Sequence, residues 1–190
     1  MYTETMLLPA LPQLIHDFNL SYNTSSWILS AYLVAGAVMT PVSGKLSDIY
    51  GKKRIMIILI LIYTVGLIIS PFSSNFIMLL ISRILQGIGI SVFPVSFGLI
   101  REQFPKEKLA ISQGIISSMF AGGSVLGLAI GGTIVQLYGW RLTFFSIIPI
   151  AICLIIVIIK FIPTEKKQIE TTKIKQKDSS QKFDILGSIF

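Results

Sequence analysis

The sequence predicts an all-α membrane protein, a six-helix transmembrane bundle made of two inverted three-helix repeats. Three observations carry this. Of 190 residues, 53% are hydrophobic and only 13% charged, with a mean hydropathy of +0.77, too little charge to cover the surface of a water-soluble domain. Residues 18–44, 55–82, 84–100, 109–140 and 142–159 contain no Asp, Glu, Lys or Arg, and each run is near or above the roughly 20 apolar residues needed to cross a hydrocarbon core. Amides in lipid must be satisfied within the chain, by helices or a closed barrel. Stretches such as IMIILILIYTVGLII at 55–69 lack the period-two alternation of barrel strands, which leaves helices.

Six spans are expected, at about 1–16, 25–43, 54–70, 76–100, 110–137 and 142–162, forming one bundle over 1–162. A charged linker follows at 163–183, and DILGSIF opens a seventh span over 184–190. Span 1 offers about 15 residues, roughly 22 Å of helix against the roughly 30 Å required; the chain therefore reads as a fragment or a mis-started frame. Pro9 and Pro12 are expected to bend it. Fourteen of the 16 Lys and Arg fall on the 44–54, 101–109 and 160–183 connectors, while Arg141 is alone on the other side and Arg83 lies within a span. Positive charge marks the cytosolic face, so both ends are expected in the cytosol of a multi-pass plasma-membrane protein. The net charge of +7 thus reads as an orientation signal rather than a nucleic-acid footprint. The single Cys153 permits no intrachain disulfide, and the single His16 permits no multi-histidine metal site; no cofactor is expected. HExxH and GxSxG motifs are absent, which argues against an enzyme.

At an offset of 88, Gly44, Tyr50 and Gly51 match Gly132, Tyr138 and Gly139. An odd number of spans separates the two sets, so the copies face opposite sides, as in inverted transporter repeats.

Candidate functional residues follow from placement. Between spans 2 and 3, GKLSDIYGKKR at 44–54 reads as a tight charged turn. Gly44 and Gly51 admit unusual backbone angles, Asp48 caps or pairs, and Lys52, Lys53 and Arg54 hold the loop at the cytosol. Asp48 is expected to pair with Arg101. Arg83 sits 8 residues past Asn75, about 12 Å deep, where an ionised side chain is costly and functional by default; the bland alternative is a structural pairing. Gln86 shares its face, as a substrate contact or an interhelical hydrogen bond. Glu4, the one acid within a span, lies about 20 Å from Asp17 along the helix. A carboxylate in a low-dielectric layer holds a proton more readily than one in water. The glycines at 123, 127, 131 and 132 allow close helix approach, for coupling or for plain packing.

These segments also carry a resemblance. The 44–54 turn resembles the G-x-L-a-D-r-x-G-r-k loop of the major facilitator superfamily, with Ile49 replacing a basic residue. LLISRILQGIG at 79–89 resembles the family's helix-4 motif, and GSVLGLAIGG at 123–132 its antiporter motif G-x-x-x-G-P-x-x-G-G, with Leu128 in the place of proline. With Trp27, Tyr32, Trp140-Arg141 and FDILG at 183–187, the chain is most similar to the 14-helix drug:proton antiporter branch, whose helix-1 aspartate aligns with Thr3 rather than Glu4. The resemblance implies half of a major facilitator fold, completed by a missing carboxy-terminal half. It implies proton-coupled export of an organic compound by alternating access; Arg83 and Glu4 are expected, from their placement within spans, in proton coupling or gating, and Gln86 and Tyr32 at the substrate. Residues Gly44, Asp48, Gly51, Lys52, Lys53 and Arg101 would form the conformational-switch loop. The expected partners are a small-molecule substrate, protons and the lipid bilayer. Alternatives on the same fold are a sugar or metabolite symporter or uniporter, which Leu128 favours, and a non-transporting helix-packing fragment.

Overall fold

The computed structural model describes residues 2–162; the expected linker at 163–183 and the seventh span at 184–190 lie outside the described residues. The described chain is helical: α1 (Tyr2–Thr5), α2 (Leu11–Asp17), α3 (Tyr22–Ser25), α4 (Trp27–Tyr50), α5 (Lys52–Ile69), α6 (Phe76–Ile90), α7 (Val92–Gln103), α8 (Lys106–Tyr138) and α9 (Trp140–Phe161), with a 3₁₀ turn at Ser70–Phe72. Five segments, 22–50, 52–72, 76–103, 106–138 and 140–161, are long and apolar enough to cross a membrane.

The first expected span is not one helix. It is α1 and α2 separated by a turn at residues 6–10. Pro9 has no N–H to offer Thr5, four residues back. The Thr5 carbonyl instead accepts from Leu8 at 3.2 Å, Glu4 from Leu7 at 3.3 Å, and Leu7 from Ala10 at 3.0 Å. These tighter bonds end α1, so the expected bend is a break. The segment still runs through the middle of the bundle: Met6, Leu7, Ala10 and Leu14 are buried against Leu67, Leu79, Val135 and Phe144. Span 4 is divided in the same way, into α6 and α7 at Ser91. Pro94 withholds its donor from Ile90, while Ser91 Oγ donates to the Ile88 carbonyl at 2.6 Å.

The turn expected over 44–53 contracts to one residue. Gly44 is an interior residue of α4, and a Cβ there would meet nothing within 4 Å; its expected role in the turn or in close helix approach is not seen. Helix α4 continues to Tyr50 and reverses at Gly51, whose φ of 95° disfavours any residue with a Cβ. Gly139, between α8 and α9, has φ 80°. Gly51 N–H donates to Ser47 O at 3.1 Å, and Gly139 N–H to Val135 O at 3.0 Å, the same cap at positions 88 apart. Three matched letters in the sequence therefore correspond to two matched turns.

On α8 the buried positions Gly127, Gly131 and Val135 recur every four residues, and Gly123 is half-buried on the same stripe. This stripe receives the first span. A Cβ on Gly131 would stand 2.3 Å from Met6 Cβ, and one on Gly132 3.9 Å from Pro9. Leu128 points away from the stripe and is 52% exposed. Gly131→Val is expected to part α1 from α8 and destabilise the bundle by about 2–3 kcal/mol, an overpacking cost. Unfolding of the variant in mixed micelles measures this, and parental stability would mean that the seam has slack.

Candidate functional site: a buried arginine beside an apolar cavity

Helix α6 begins at Asn75, whose side chain accepts from the Met78 N–H at 2.8 Å, and it carries Arg83 two turns into the bundle. Arg83 is fully buried. Its Nε donates to Ile28 O at 3.3 Å and its Nη1 to Gln86 Oε1 at 2.6 Å, while the guanidinium lies 4.4 Å from the Tyr32 ring centroid. A planar cation suits this place because it can stack on an aromatic face and still use its fork of donors. Gln86 passes the network on, from Nε2 to Ser70 Oγ at 2.6 Å and to Gly66 O at 3.2 Å. Ser70 and Ser82 share a 2.8 Å hydroxyl contact. Arg83, Gln86, Ser70 and Ser82 are each 0% exposed, so the network is sealed from water.

Glycines make the sealing possible. A Cβ on Gly66 would stand 2.8 Å from Ser82 O, one on Gly87 2.3 Å from Tyr32 O, and one on Gly89 2.5 Å from Tyr63 Cβ. The backbones of α4, α5 and α6 can therefore meet around the arginine.

Among the described residues two buried side-chain polar atoms lack a hydrogen-bond partner, Arg83 Nη2 and Glu4 Oε2, and the two side chains lie within electrostatic range of one another. Thr3, beside Glu4, shares a short hydrogen bond with the Tyr63 hydroxyl. Thr3, Tyr63 and Tyr32 together line a cavity of about 310 Å³ whose remaining wall is apolar, with Phe93 and Phe120 facing it. Tyr32 thus touches both the cavity and the arginine. Of the two residues expected at a substrate, Tyr32 is on the wall. Gln86 is not; it takes the interhelical role, because its amide is committed to α5 and Arg83.

The charged turn gathers around Lys52. Its Nζ, on a side chain 10% exposed, meets Glu102 Oε1 at 2.5 Å and Asp48 Oδ1 at 3.2 Å. The lysine stem crosses Gly98, where a Cβ would come within 2.9 Å of Cε. Asp48 therefore pairs here with Lys52 rather than with Arg101, which is exposed and has no ion pair among the described residues. Lys53 Nζ donates to Ile159 O at 2.9 Å, in the last turn of α9. Tyr63, Ser70 and Glu102 carried no signal of their own in the sequence, being ordinary residues until the helices bring them together, and Thr3 entered only as the position that aligns with the branch's helix-1 aspartate. Among the described residues no group of three His, Cys, Asp or Glu side chains is placed to hold a metal ion.

A profile of the Major Facilitator Superfamily matches residues 1–190. The chain is 32% identical over 87% of its length to the uncharacterised MFS-type transporter YwoD of Bacillus subtilis (strain 168), covering 36% of that protein. It is 30% identical over 98% of its length to multidrug resistance protein 3 of the same organism, covering 34%. It is also 30% identical over 80% of its length to the riboflavin transporter RibZ of Clostridioides difficile (strain 630), again covering 34%. The chain thus spans about a third of the length of these relatives, two of which are named as transporters. The buried helix-4 arginine, the glycine turn after span 2, the apolar spans and the profile match agree: this multi-pass membrane chain belongs to the Major Facilitator Superfamily.

Proposed function

We propose that this chain forms the first bundle of a proton-coupled exporter of drug-like organic compounds, working by alternating access with a second bundle across the plasma membrane. The observation that carries this is the pair of orphaned buried atoms, Arg83 Nη2 and Glu4 Oε2. A fixed positive charge and a carboxyl group inside the membrane, both short of a partner, supply what a proton carrier needs: a group that changes charge and another that senses the change. Arginine keeps its proton at physiological pH, so Glu4 carries the proton and Arg83 tunes it. Tyr32 links that change to the cavity and its solute. On this reading the Lys52–Asp48–Glu102 cluster, with Gly51 and Lys53, is the switch loop at the cytosolic side.

Support for drug-like cargo comes from the apolar cavity wall and from the relative named as a multidrug resistance protein. A second reading, transport of a metabolite on the same fold, is favoured by Leu128 in the place of the antiporter proline and by the relative named as a riboflavin transporter. Glu4→Gln in the two-bundle transporter is expected to remove the pH dependence of efflux from vesicles while sparing solute binding. An unchanged pH profile would place the proton site elsewhere, and inward flux driven by an inward proton gradient would favour the second reading.

A further inference from the structure

At each of the two matched turns, the residue after the positive-φ glycine offers a donor to a carboxylate. At the lysine-rich end Lys52 follows Gly51, and its Nζ reaches Glu102. At the opposite end Trp140 follows Gly139, and its Nε1 donates to Asp17 Oδ2 at 2.9 Å. Glu102 is the next-to-last residue of α7 and Asp17 the last of α2. These are the second segments of spans 4 and 1, the divided first helices of the two repeats. The two contacts are therefore the same fastening, made once at each end of the bundle with different chemistry.

We propose that Asp17 is the repeat-related counterpart of Glu102, a positioning residue that fastens the outer segment of the divided first span to α9 through the Trp140 indole. Helix α2 needs such a tie. It has seven residues, no side-chain cap at its start and a break before it, and so short a helix has little stability of its own. Among the described residues its further polar ties to later spans are Gln13 Nε2 to Val135 O, at 3.2 Å, and the Arg141 ion pair of Asp17 itself. Trp140 is 2% exposed, with its ring against Phe18 at 5.9 Å and Phe144 at 6.1 Å. The exchange of lysine for tryptophan has a physical reason. A second cation at this end would oppose the charge asymmetry that orients the chain, whereas an indole offers an N–H without charge and favours the membrane interface. The cation already there, Arg141, lies over the Trp140 ring at 4.4 Å and 3.6 Å from Asp17 Oδ2, so the same carboxylate offsets it. This placement is independent of what the protein transports.

The test uses the full chain in lipid nanodiscs. The chain has two tryptophans, so Trp27→Phe leaves Trp140 as the single fluorophore. In that background Asp17→Ala is expected to raise acrylamide quenching of Trp140 about 3-fold, and to speed amide exchange across residues 11–18 about 10-fold, the loss of one hydrogen bond to a charged acceptor releasing a local segment. Asp17→Asn, which keeps an oxygen for the indole, is expected to stay near the parent in both readings. Amide exchange within α5 should be unchanged in both variants. Parental quenching and exchange in Asp17→Ala would overturn the proposal. So would acceleration in α5 as large as that in α2, which would make Asp17 a general stability element. If Asp17→Asn behaves like Asp17→Ala, charge pairing with Arg141 holds the segment and the indole is not the counterpart of Lys52.

Discussion

Arg83→Met is expected to cut proton-driven transport by the two-bundle protein at least ~100-fold while leaving the bundle as stable as before or more so, because a buried charge without a full set of partners is a poor source of stability. The guanidinium has two fixed acceptors, Ile28 O and Gln86 Oε1, an aromatic face at Tyr32, and one orphan nitrogen. Methionine fills much of the same volume with no polar atom to desolvate. Gln86 loses one partner but keeps Ser70 and Gly66. Arg83→Lys should recover little transport, since an ammonium cannot reproduce the flat fork that reaches both acceptors while stacked on the ring. Thermal unfolding and vesicle flux, measured on the same preparations, separate the two effects. Lost transport with a large loss of stability would instead make Arg83 a structural residue.

Gly87→Leu is expected to be the most damaging single change to the fold, with little or no correctly folded protein recovered. A Cβ there would lie 2.3 Å from the Tyr32 carbonyl oxygen and 2.9 Å from Ala35 Cβ. The first obstacle is backbone, so no rotamer change relieves it. Even Gly87→Ala should cost about 3 kcal/mol or more, at or above the upper end of ordinary overpacking, because α4 and α6 must separate. The same separation would move Ile28 O and Tyr32 away from Arg83. Gly44→Ala is the control: its Cβ would meet nothing, and alanine favours a helix interior over glycine by about 1 kcal/mol. The Gly44 variant should be as stable as the parent or slightly more so. If the Gly87 variant equals it, the α4–α6 seam is not as tight as drawn.

The five later spans were legible where charge punctuates apolar runs, although the helices start at Lys52, Lys106 and Trp140, two to four residues before the expected 54, 110 and 142. The burial of Arg83 was legible for the same reason, since a lone charge in an apolar run is informative by itself. Less legible were the places where proline acts through what it withholds. Pro9 and Pro94 each divide a span that hydropathy draws as continuous, because a hydropathy window counts side chains and not backbone donors. Pairings across the bundle were the least legible. Asp48 and Arg101 both lie at helix ends near one another in sequence logic, but Lys52 is nearer to Asp48 by one helical turn and carries its stem over Gly98 to Glu102. Gln86 could be read as a pocket residue or a packing residue from its helical face alone. What decided it was Ser70, sixteen positions earlier on another element.

The divided first helix of each repeat has a mechanical consequence. Bending an unbroken helix sharply means stretching or breaking backbone hydrogen bonds, an elastic penalty that rises with angle. At Pro9 and Pro94 the donors that would resist bending do not exist, so α1 can tilt against α2, and α6 against α7, like two knees. One knee lies beside Glu4 and the other one turn past Gly89, on the cavity wall. Thr3, just before the first joint, and Phe93, at the second, line the same apolar space. A change of charge or of occupant there meets compliant backbone on two sides, while α4 and α9 pass their own prolines, Pro41 and Pro149, without a break, which channels small local displacements into leverage at the two fastened ends.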